Sequence, residues 1–163
     1  MQIKDIKMLE AIKKEEIINI EEIEEIIKEA VSCRLGFVDG DQPYIVPAPF
    51  GYERGALYFH GSPEDRKAEI IKKNNNVYFE ITTDLELVRI KPGKVCHWMM
   101  AYRRVVGTGK ARVLQSREEK RHGLRLIVKQ YVEDELNFPE LTLDKTLVVK
   151  VDIKSINGFK SGY

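Results

Sequence analysis

Residues 43–67, PYIVPAPFGYERGALYFHGSPEDRK, decide the fold: two apolar strands joined by a tight turn lead directly into a helix. Ser62 is a good N-cap and Pro63 suits the first helical position, so the sequence predicts a helix that begins at Pro63. Arg66 and Lys67 are unusual in this place. Cations near a helix N-terminus face the positive end of the helix dipole, at a cost of about 0.3–1 kcal/mol each.

An anion bound at this helix start would remove that cost. The free N–H groups, the helix dipole and both cations would then converge on one negative charge. Arg66 and Lys67 therefore predict a phosphate site. The alternative is an ordinary exposed charge cluster, in which Glu64, Asp65 and water neutralise the two cations. The residues of this stretch leave both interpretations open.

Composition restricts the class of protein. The chain has 163 residues, of which 43% are hydrophobic and 33% charged, as in a globular protein with one domain. The net charge of +1 gives no reason to expect nucleic acid or an anionic membrane as a partner. The N-terminal stretch lacks the apolar core of a signal peptide, and Cys33 and Cys96 form no disulfide framework. We therefore expect a cytoplasmic protein with no membrane segment.

Hydrophobic periodicity divides the chain into short strands and a few helices. Residues 1–18 are predicted to form an N-terminal arm, and residues 19–163 a single domain. The predicted strands cover 33–37, 44–50, 56–60, 77–82, 85–90, 95–114 and 147–153. The predicted helices cover 20–31, the stretch from Pro63 to about 74–76, and the stretch from Ser116 to about 131. Asn19 with Glu22 and Ser116 with Glu119 have the spacing of capping boxes, so Asn19 and Ser116 are predicted N-caps. About six short strands linked by tight turns, with inserted helices, favour a closed antiparallel barrel.

Three other patterns carry little chemistry. His60, His97 and His122 lack the spacing of metal ligands, and we expect no metal. Cys96 and His97 are adjacent in a predicted strand, so their side chains would point to opposite faces and could not form a nucleophile–base pair. Residues 107–110 lack the upstream glycine of a nucleotide-binding loop and are typical of a glycine-kinked strand.

An aromatic face that ends in a cation is predicted on strand 95–114. Alternate residues of an extended strand share one face, here Cys96, Trp98, Met100, Tyr102 and Arg104. Such a face suits a planar heterocycle, but taken alone it favours a barrel core with an arginine that reaches solvent. Together with the anion site at 62–67 and the Pro-rich strand at 46–50, it indicates a planar cofactor that carries a phosphate.

Four segments of the chain carry a family resemblance. They are CRLGFVDGDQPYIVPAPFGYERGALYFHG at 33–61, RKAEIIKKNNNVYFEI at 66–81, CHWMMAYRRVVGTGKARVL at 96–114 and EKRHGLRLIVKQY at 119–131. With the last strand and its SINGFK ending, they resemble the pyridoxamine 5'-phosphate oxidase-like FMN-binding split barrels. The resemblance is greatest to the nitroimidazole-resistance branch.

The resemblance implies a fold and a first set of contacts. The fold would be mainly β with added helices, a six-stranded antiparallel split β-barrel that forms a homodimer with two FMN sites at the subunit interface. The backbone of Val46, Pro47 and Ala48 would pass along the isoalloxazine ring. His60 and Gly61 would contact the ring or the ribityl chain.

The resemblance also assigns the phosphate and a polar contact to the ring. Arg66 and Lys67 match the family's phosphate-binding pair, and Arg104 falls where relatives place a polar side chain against the ring. This branch usually reads Tyr-x-Ser-Val, whereas this chain has Tyr102 followed by two arginines before the valine. A guanidinium thus replaces a small hydroxyl at position 104, where it could stabilise an anionic reduced flavin or partly block the ring face.

The function implied is that of an FMN flavoprotein. It would be a flavin-dependent oxidoreductase that takes electrons from a reduced nicotinamide or another donor and reduces small planar acceptors such as nitroaromatics or quinones. His60 is the only candidate for a catalytic acid or base. The pyridoxal-phosphate-binding features of the true oxidases are not recognisable. The alternatives are a protein that holds FMN or haem without turnover, and a cofactor-free barrel that serves as an interaction module.

Overall fold

The computed structural model describes residues 13–89, 95–133 and 136–163. In these ranges the strands are β1 Glu15–Ile17, β2 Cys33–Asp39, β3 Gln42–Ala48, β4 Phe50–Glu53, β5 Ala56–Gly61, β6 Asn76–Arg89, β7 Trp98–Val113 and β8 Leu147–Ser161. The helices are α1 Ile20–Glu29, α2 Arg66–Lys73, α3 Arg117–Lys129 and α4 Glu140–Lys145, with a 3₁₀ turn at Val95–His97. The fold is therefore mainly β with added helices, as predicted.

The strands form one sheet with the order β3-β2-β6-β7-β8-β5-β4, and β1 pairs with β8. Neighbours whose register is defined are antiparallel; for example, Leu35 lies opposite Val46 and Phe59 opposite Val149. The two end strands, β3 and β4, are separated only by Pro49. The chain itself therefore joins the ends of the sheet at a residue that has no backbone N–H to donate to a ladder.

This arrangement confirms the predicted split-barrel fold and corrects two details. The sheet is not closed by hydrogen bonds, because in the described chain β3 and β4 do not pair with each other. Over the described residues it has eight strands rather than six. Pro49 divides the predicted strand 44–50 in two, and the short β1 comes from the predicted N-terminal arm.

Other boundaries also differ from prediction. Strands 77–82 and 85–90 are joined in β6, which passes through Asp84 at a positive φ of 54°. The 3₁₀ turn delays β7 to Trp98, and β8 continues to Ser161 rather than ending at 153. The helix α4 was not predicted. The predicted turn at 91–94, and residues 1–12 of the predicted arm, lie outside the described residues.

Local capping signals were read correctly from the sequence. The Asn19 side chain accepts hydrogen bonds from the N–H groups of Glu21 at 2.7 Å and Glu22 at 3.4 Å, directly before α1. Ser116 accepts one from the N–H of Glu119 at 3.2 Å, directly before α3. Both contacts satisfy N–H groups that a helix start leaves without an intrahelical partner.

The described chain falls into two compact units. The hairpin unit comprises 31–80 and the described part of 107–156; the terminal unit comprises 13–30, the described part of 81–106, and 157–163. Phe37, Phe59 and Phe79 are buried in the hairpin unit.

The single domain predicted for 19–163 stays a prediction. No helix of the described ranges is long and apolar enough to cross a membrane.

Candidate functional site

The segment between β5 and α2 is a turn, not the first turn of a helix. The predicted helix start at Pro63, with Ser62 as N-cap, is wrong: α2 begins at Arg66 and its N-cap is Asp65. Ser62 accepts a hydrogen bond from Glu64 N–H on its Oγ at 3.2 Å and one from Asp65 N–H on its carbonyl at 3.1 Å. These bonds close the turn before the helix, so that Arg66 and Lys67 are its first two residues.

Arg66 is held against the β2–β3 hairpin. Its Nε and Nη2 both donate to Oδ2 of Asp39, at 3.2 and 2.9 Å. The guanidinium carbon lies 4.9 Å from the centre of the Tyr44 ring, a cation–π distance. About half of the side chain remains exposed. Arg66 is therefore positioned by two neighbouring strands and still reaches solvent.

Lys67 is the more enclosed of the two cations. Its ammonium forms an ion pair with Asp65, whose Oδ2 also accepts the N–H of Ser62 at 2.9 Å. A Cβ placed on Gly61 would lie 2.7 Å from the Lys67 Nζ and 2.5 Å from the Asp65 Oδ2. The missing side chain at Gly61 thus lets the lysine lie directly on the end of β5. The hydrogen bond from Lys67, followed by that from Ser62, lowers the pKa of Asp65.

His60 precedes Gly61 at the exposed end of β5. Partial burial of its ring, and then the positive charge of Lys67, lower the pKa of His60 below its ordinary value of 6.5. The imidazole is therefore neutral at pH 7, with one nitrogen as donor and the other as acceptor. It can form a hydrogen bond with a ligand at this point, and it is a poor general acid at neutral pH.

Val46, Pro47 and Ala48 end the strand that also carries Tyr44. They pair with Leu35, Arg34 and Cys33 of β2. In the described chain β3 has no other strand neighbour, so the groups along its outer edge have no strand partner. Such an edge can supply backbone donors and acceptors to a flat ligand.

The predicted ring contacts Tyr102 and Arg104 lie on β7 in the terminal unit. The Arg104 guanidinium carbon is 5.4 Å from the centre of the Tyr102 ring and 5.7 Å from that of Phe159 on β8. Its Nε is buried and has no hydrogen-bond partner among the described residues. Buried donors are rarely left unpaired, so this atom is suited to an acceptor that the described part of the chain does not provide.

The predicted aromatic face of β7 is not the buried one. Ala101 and Val105, on the opposite face, are 3% and 0% exposed, whereas Met100 is 41% exposed. The interpretation of that face as a barrel core is therefore wrong. Trp98 lies on the same face as Met100 and is covered by the Arg89 guanidinium, 4.9 Å from the ring centre. The side chain of Cys96 lies outside the described residues.

Arg103, the neighbour of Arg104, has a structural role. It donates to Asp84 at 2.5 Å and forms an ion pair with Glu29. The two consecutive arginines thus differ: the first connects elements of the terminal unit, and the second carries the unpaired Nε.

The structure brings four predicted residues of the hairpin unit together. Lys67 contacts Gly61, and its positive charge lowers the pKa of His60. Arg66 directly precedes Lys67 at the start of α2. The structure also shows partners that sequence reasoning missed, namely Asp39 and Tyr44. No local signal points to them, since both lie more than 20 residues before Arg66. Asp65 was foreseen as a neutralising charge, and it has that role toward Lys67.

Histidines do not form a metal site in the described chain, where no group of three or more His, Cys, Asp and Glu side chains could hold an ion. His122 instead lies 3.2 Å from a carboxylate oxygen of Glu53. Cys96 and His97 lie in the 3₁₀ turn rather than in a strand.

Comparison with known proteins gives a family match over most of the chain. A family model for pyridoxamine 5'-phosphate oxidase matches residues 19–160. The crystal structure of a candidate 5-nitroimidazole antibiotic resistance protein from Bacteroides thetaiotaomicron is 32% identical, with a TM-score of 0.80, over 90% of this chain and 87% of that one. No curated protein matches the chain significantly.

Two further structures are similar in fold. A flavocytochrome from Azotobacter vinelandii has a TM-score of 0.73 at 17% identity, over 90% of this chain and 68% of that one. An FAD and haem binding protein from Mycobacterium smegmatis has a TM-score of 0.78 at 16% identity, over 91% of this chain and 74% of that one. At these identities the likeness concerns the fold alone.

Two glycine substitutions test the packing of Lys67 on Gly61. In Gly61→Ala the new Cβ would meet the flexible ends of Lys67 and Asp65, whereas in Gly51→Ala it would meet the backbone of Ile127 at 2.5 Å. Flexible ends can move aside and backbone cannot. We expect urea unfolding to show a loss of about 1 kcal/mol or less for Gly61→Ala and about 3 kcal/mol for Gly51→Ala. Equal losses of unfolding free energy in the two variants would show that the side chains around Gly61 cannot move aside.

Proposed function

The chain belongs to the pyridoxamine 5'-phosphate oxidase family, and from this premise we propose that it binds FMN through Arg66 and Lys67. The observation that carries the proposal is the position of these two cations at the first two residues of α2. A phosphate placed there would receive charge-assisted hydrogen bonds from both side chains and from N–H groups of the helix start. We call Arg66, Lys67 and the adjoining turn 62–65 the phosphate seat.

The donors of the seat fit a phosphate oxygen. Lys67 and the N–H of Ser62 already converge on one oxygen of Asp65, and Arg66 directs two N–H groups at one oxygen of Asp39. In both places, two donors converge on one negatively charged oxygen, as they would on an oxygen of a phosphate. Each charge-assisted bond contributes about 1.5–3 kcal/mol, so two or more could support micromolar binding.

The ring would lie along the open edge of β3. Tyr44, which touches Arg66, precedes Val46–Ala48 by two to four residues on the same strand. At about 3.3 Å per residue, these residues lie about 7–13 Å farther along the strand. A ligand with a phosphate at Arg66 and a flat ring beyond it would run in this direction, past the neutral imidazole of His60 or the backbone of Gly61.

Tyr102 and Arg104, in the terminal unit, remain proposed ring contacts. The unpaired Nε of Arg104 would donate to a ring acceptor, and its charge would favour a reduced, anionic ring.

The finer proposal is that the protein is a flavin-dependent oxidoreductase. When bound, FMN supplies electron transfer between a reduced nicotinamide donor and a small planar acceptor. The 32%-identical relative is described as a candidate nitroimidazole resistance protein, which supports a nitroaromatic acceptor. The residues of this chain would bind and orient: the seat holds the phosphate, and the edge of β3 positions the ring. A cytoplasmic location stays a prediction.

A homodimer, implied by the family resemblance, is also proposed. Apolar side chains on β2, β3 and β6 are exposed in the hairpin unit: Val38 by 43%, Ile45 by 67% and Tyr78 by 51%. They line a groove of about 430 Å³. Contiguous exposed apolar surface is typical of an interface, and a second copy of the chain would cover it.

Removal of both cations tests the phosphate seat. We expect Arg66→Ala with Lys67→Ala to weaken FMN binding by about 100-fold or more, because two charge-assisted contacts are lost. Binding is measured by quenching of flavin fluorescence. Lys72→Ala with Lys73→Ala, in the last turn of the same helix, is the matched control and should leave the affinity unchanged. Unchanged affinity in the first variant would refute the phosphate assignment.

Anaerobic spectroscopy separates the oxidoreductase from a non-catalytic FMN carrier. With FMN bound, NADH or NADPH should bleach the flavin absorbance at a rate that saturates with nucleotide, and a nitroaromatic should restore it. Free FMN at the same concentration is the control. A flavin that dithionite reduces but neither nucleotide bleaches would favour the carrier.

Light scattering tests the homodimer. We expect the unmodified chain to have the mass of a dimer and Ile45→Glu to shift it toward the monomer, because a carboxylate would be buried in an apolar interface. Leu141→Glu is the matched control, since Leu141 on α4 is 65% exposed and should leave the mass unchanged. A monomeric unmodified chain at micromolar concentration would contradict this proposal.

A further inference from the structure

We propose that Asp39 and Asp65 act as internal anions that compete with a phosphate monoester for Arg66 and Lys67, and so set how tightly the seat retains FMN. This inference rests on the proposed function, because it concerns the same phosphate seat. It adds two residues that specify affinity, neither of which is among the predicted contacts to the cofactor.

Asp65 occupies the position of an oxyanion. Its Oδ2 accepts the N–H of Ser62 at 2.9 Å and forms the ion pair with the Lys67 ammonium. A backbone N–H together with a cation is the donor set that proteins use for phosphate oxygens. A phosphate that approached Lys67 would therefore meet a carboxylate already bound to the same hydrogens.

Asp39 occupies the corresponding position on Arg66. One of its oxygens receives both Nε and Nη2 of the guanidinium, at 3.2 and 2.9 Å. A guanidinium binds phosphate through such a pair of N–H groups. The Nε and Nη2 groups of Arg66 can therefore donate fully to the carboxylate or to the phosphate, but not to both at once.

The charges of these four side chains cancel. Arg66 and Lys67 contribute +2, and Asp39 and Asp65 contribute −2, so a dianion would approach a group with no net charge. Tight binding therefore requires that the carboxylates move away from the cations. Protonation does not remove the charge of Asp65 near neutral pH, because its hydrogen bond with Lys67 lowers its pKa.

The two ion pairs, Arg66–Asp39 and Lys67–Asp65, differ in how easily they dissociate. The Arg66 and Asp39 side chains are 56% and 28% exposed, whereas that of Lys67 is only 16% exposed. Exposed ion pairs are weak because water screens them. Arg66 should therefore exchange its partner readily, and Lys67 should release Asp65 only when the phosphate is in place. The competition is then modest, and FMN is an exchangeable ligand rather than a permanently held one.

The test compares FMN with riboflavin, which lacks the phosphate, on Asp39→Asn, Asp65→Asn and the double variant. Asparagine keeps the shape of aspartate and an oxygen that can accept the Ser62 N–H, so the turn before α2 is preserved. We expect Asp39→Asn to tighten FMN about threefold, Asp65→Asn about fivefold because its ion pair is the more enclosed, and the double variant about tenfold or more. Riboflavin affinity should not change.

A control separates direct competition from the general loss of a negative charge. Glu69 is exposed in the first turn of α2, outside the phosphate seat, and Glu69→Gln removes one carboxylate while leaving both ion pairs intact. It should leave FMN affinity unchanged. As a second measurement, inorganic phosphate should displace FMN at a lower concentration from the double variant than from the unmodified protein.

The outcomes are distinguishable. If the unmodified protein prefers FMN to riboflavin but the aspartate variants bind FMN no more tightly, the competition is refuted and the phosphate seat stands. Equal gains in Glu69→Gln would also refute it. If the unmodified protein binds FMN and riboflavin equally, the phosphate seat itself is refuted, and the inference with it.

Discussion

The contact of the Lys67 side chain with Gly61 joins the end of β5 to the start of α2, and the arrangement of the candidate site depends on it. A side chain at position 61 would occupy the space of the ammonium and of the Asp65 carboxylate. Because Lys67 lies inward, the next residue toward the N-terminus, Arg66, projects toward Asp39 and Tyr44. Two adjacent residues thus direct their charges at one small region from different sides.

The sheet provides the second constraint. β3 stands at one end of the strand order and has a single strand neighbour in the described chain, and Pro49 prevents its ladder from continuing into β4. An open backbone edge therefore begins near Tyr44, where Arg66 also lies. This edge carries backbone donors and acceptors whatever the side chains of β3 are.

The helix start at Arg66 shows where reasoning from sequence fails. Asn19 and Ser116 were correctly predicted as N-caps, because each makes its hydrogen bonds within three residues. Ser62 and Pro63 present the same local signal, yet the chain forms a turn there. The difference lies in Asp65, whose side chain turns back to Ser62 and to Lys67. Both helix starts were compatible with the residues, and an ion pair beside the end of β5 distinguished them.

The sequence by itself determined the mainly β class, most strand positions and the presence of two cations at the start of a helix. These properties depend on periodicity and on hydrogen bonds between residues close in the chain. Only the tertiary structure decided that Asp39 holds Arg66, that Gly61 receives Lys67 and that β3 keeps an open edge. The pairing of Asp39 with Arg66 spans 27 residues, and the open edge depends on the order of the whole sheet. Such contacts arise when distant segments pack together, and no local pattern encodes which partners will meet.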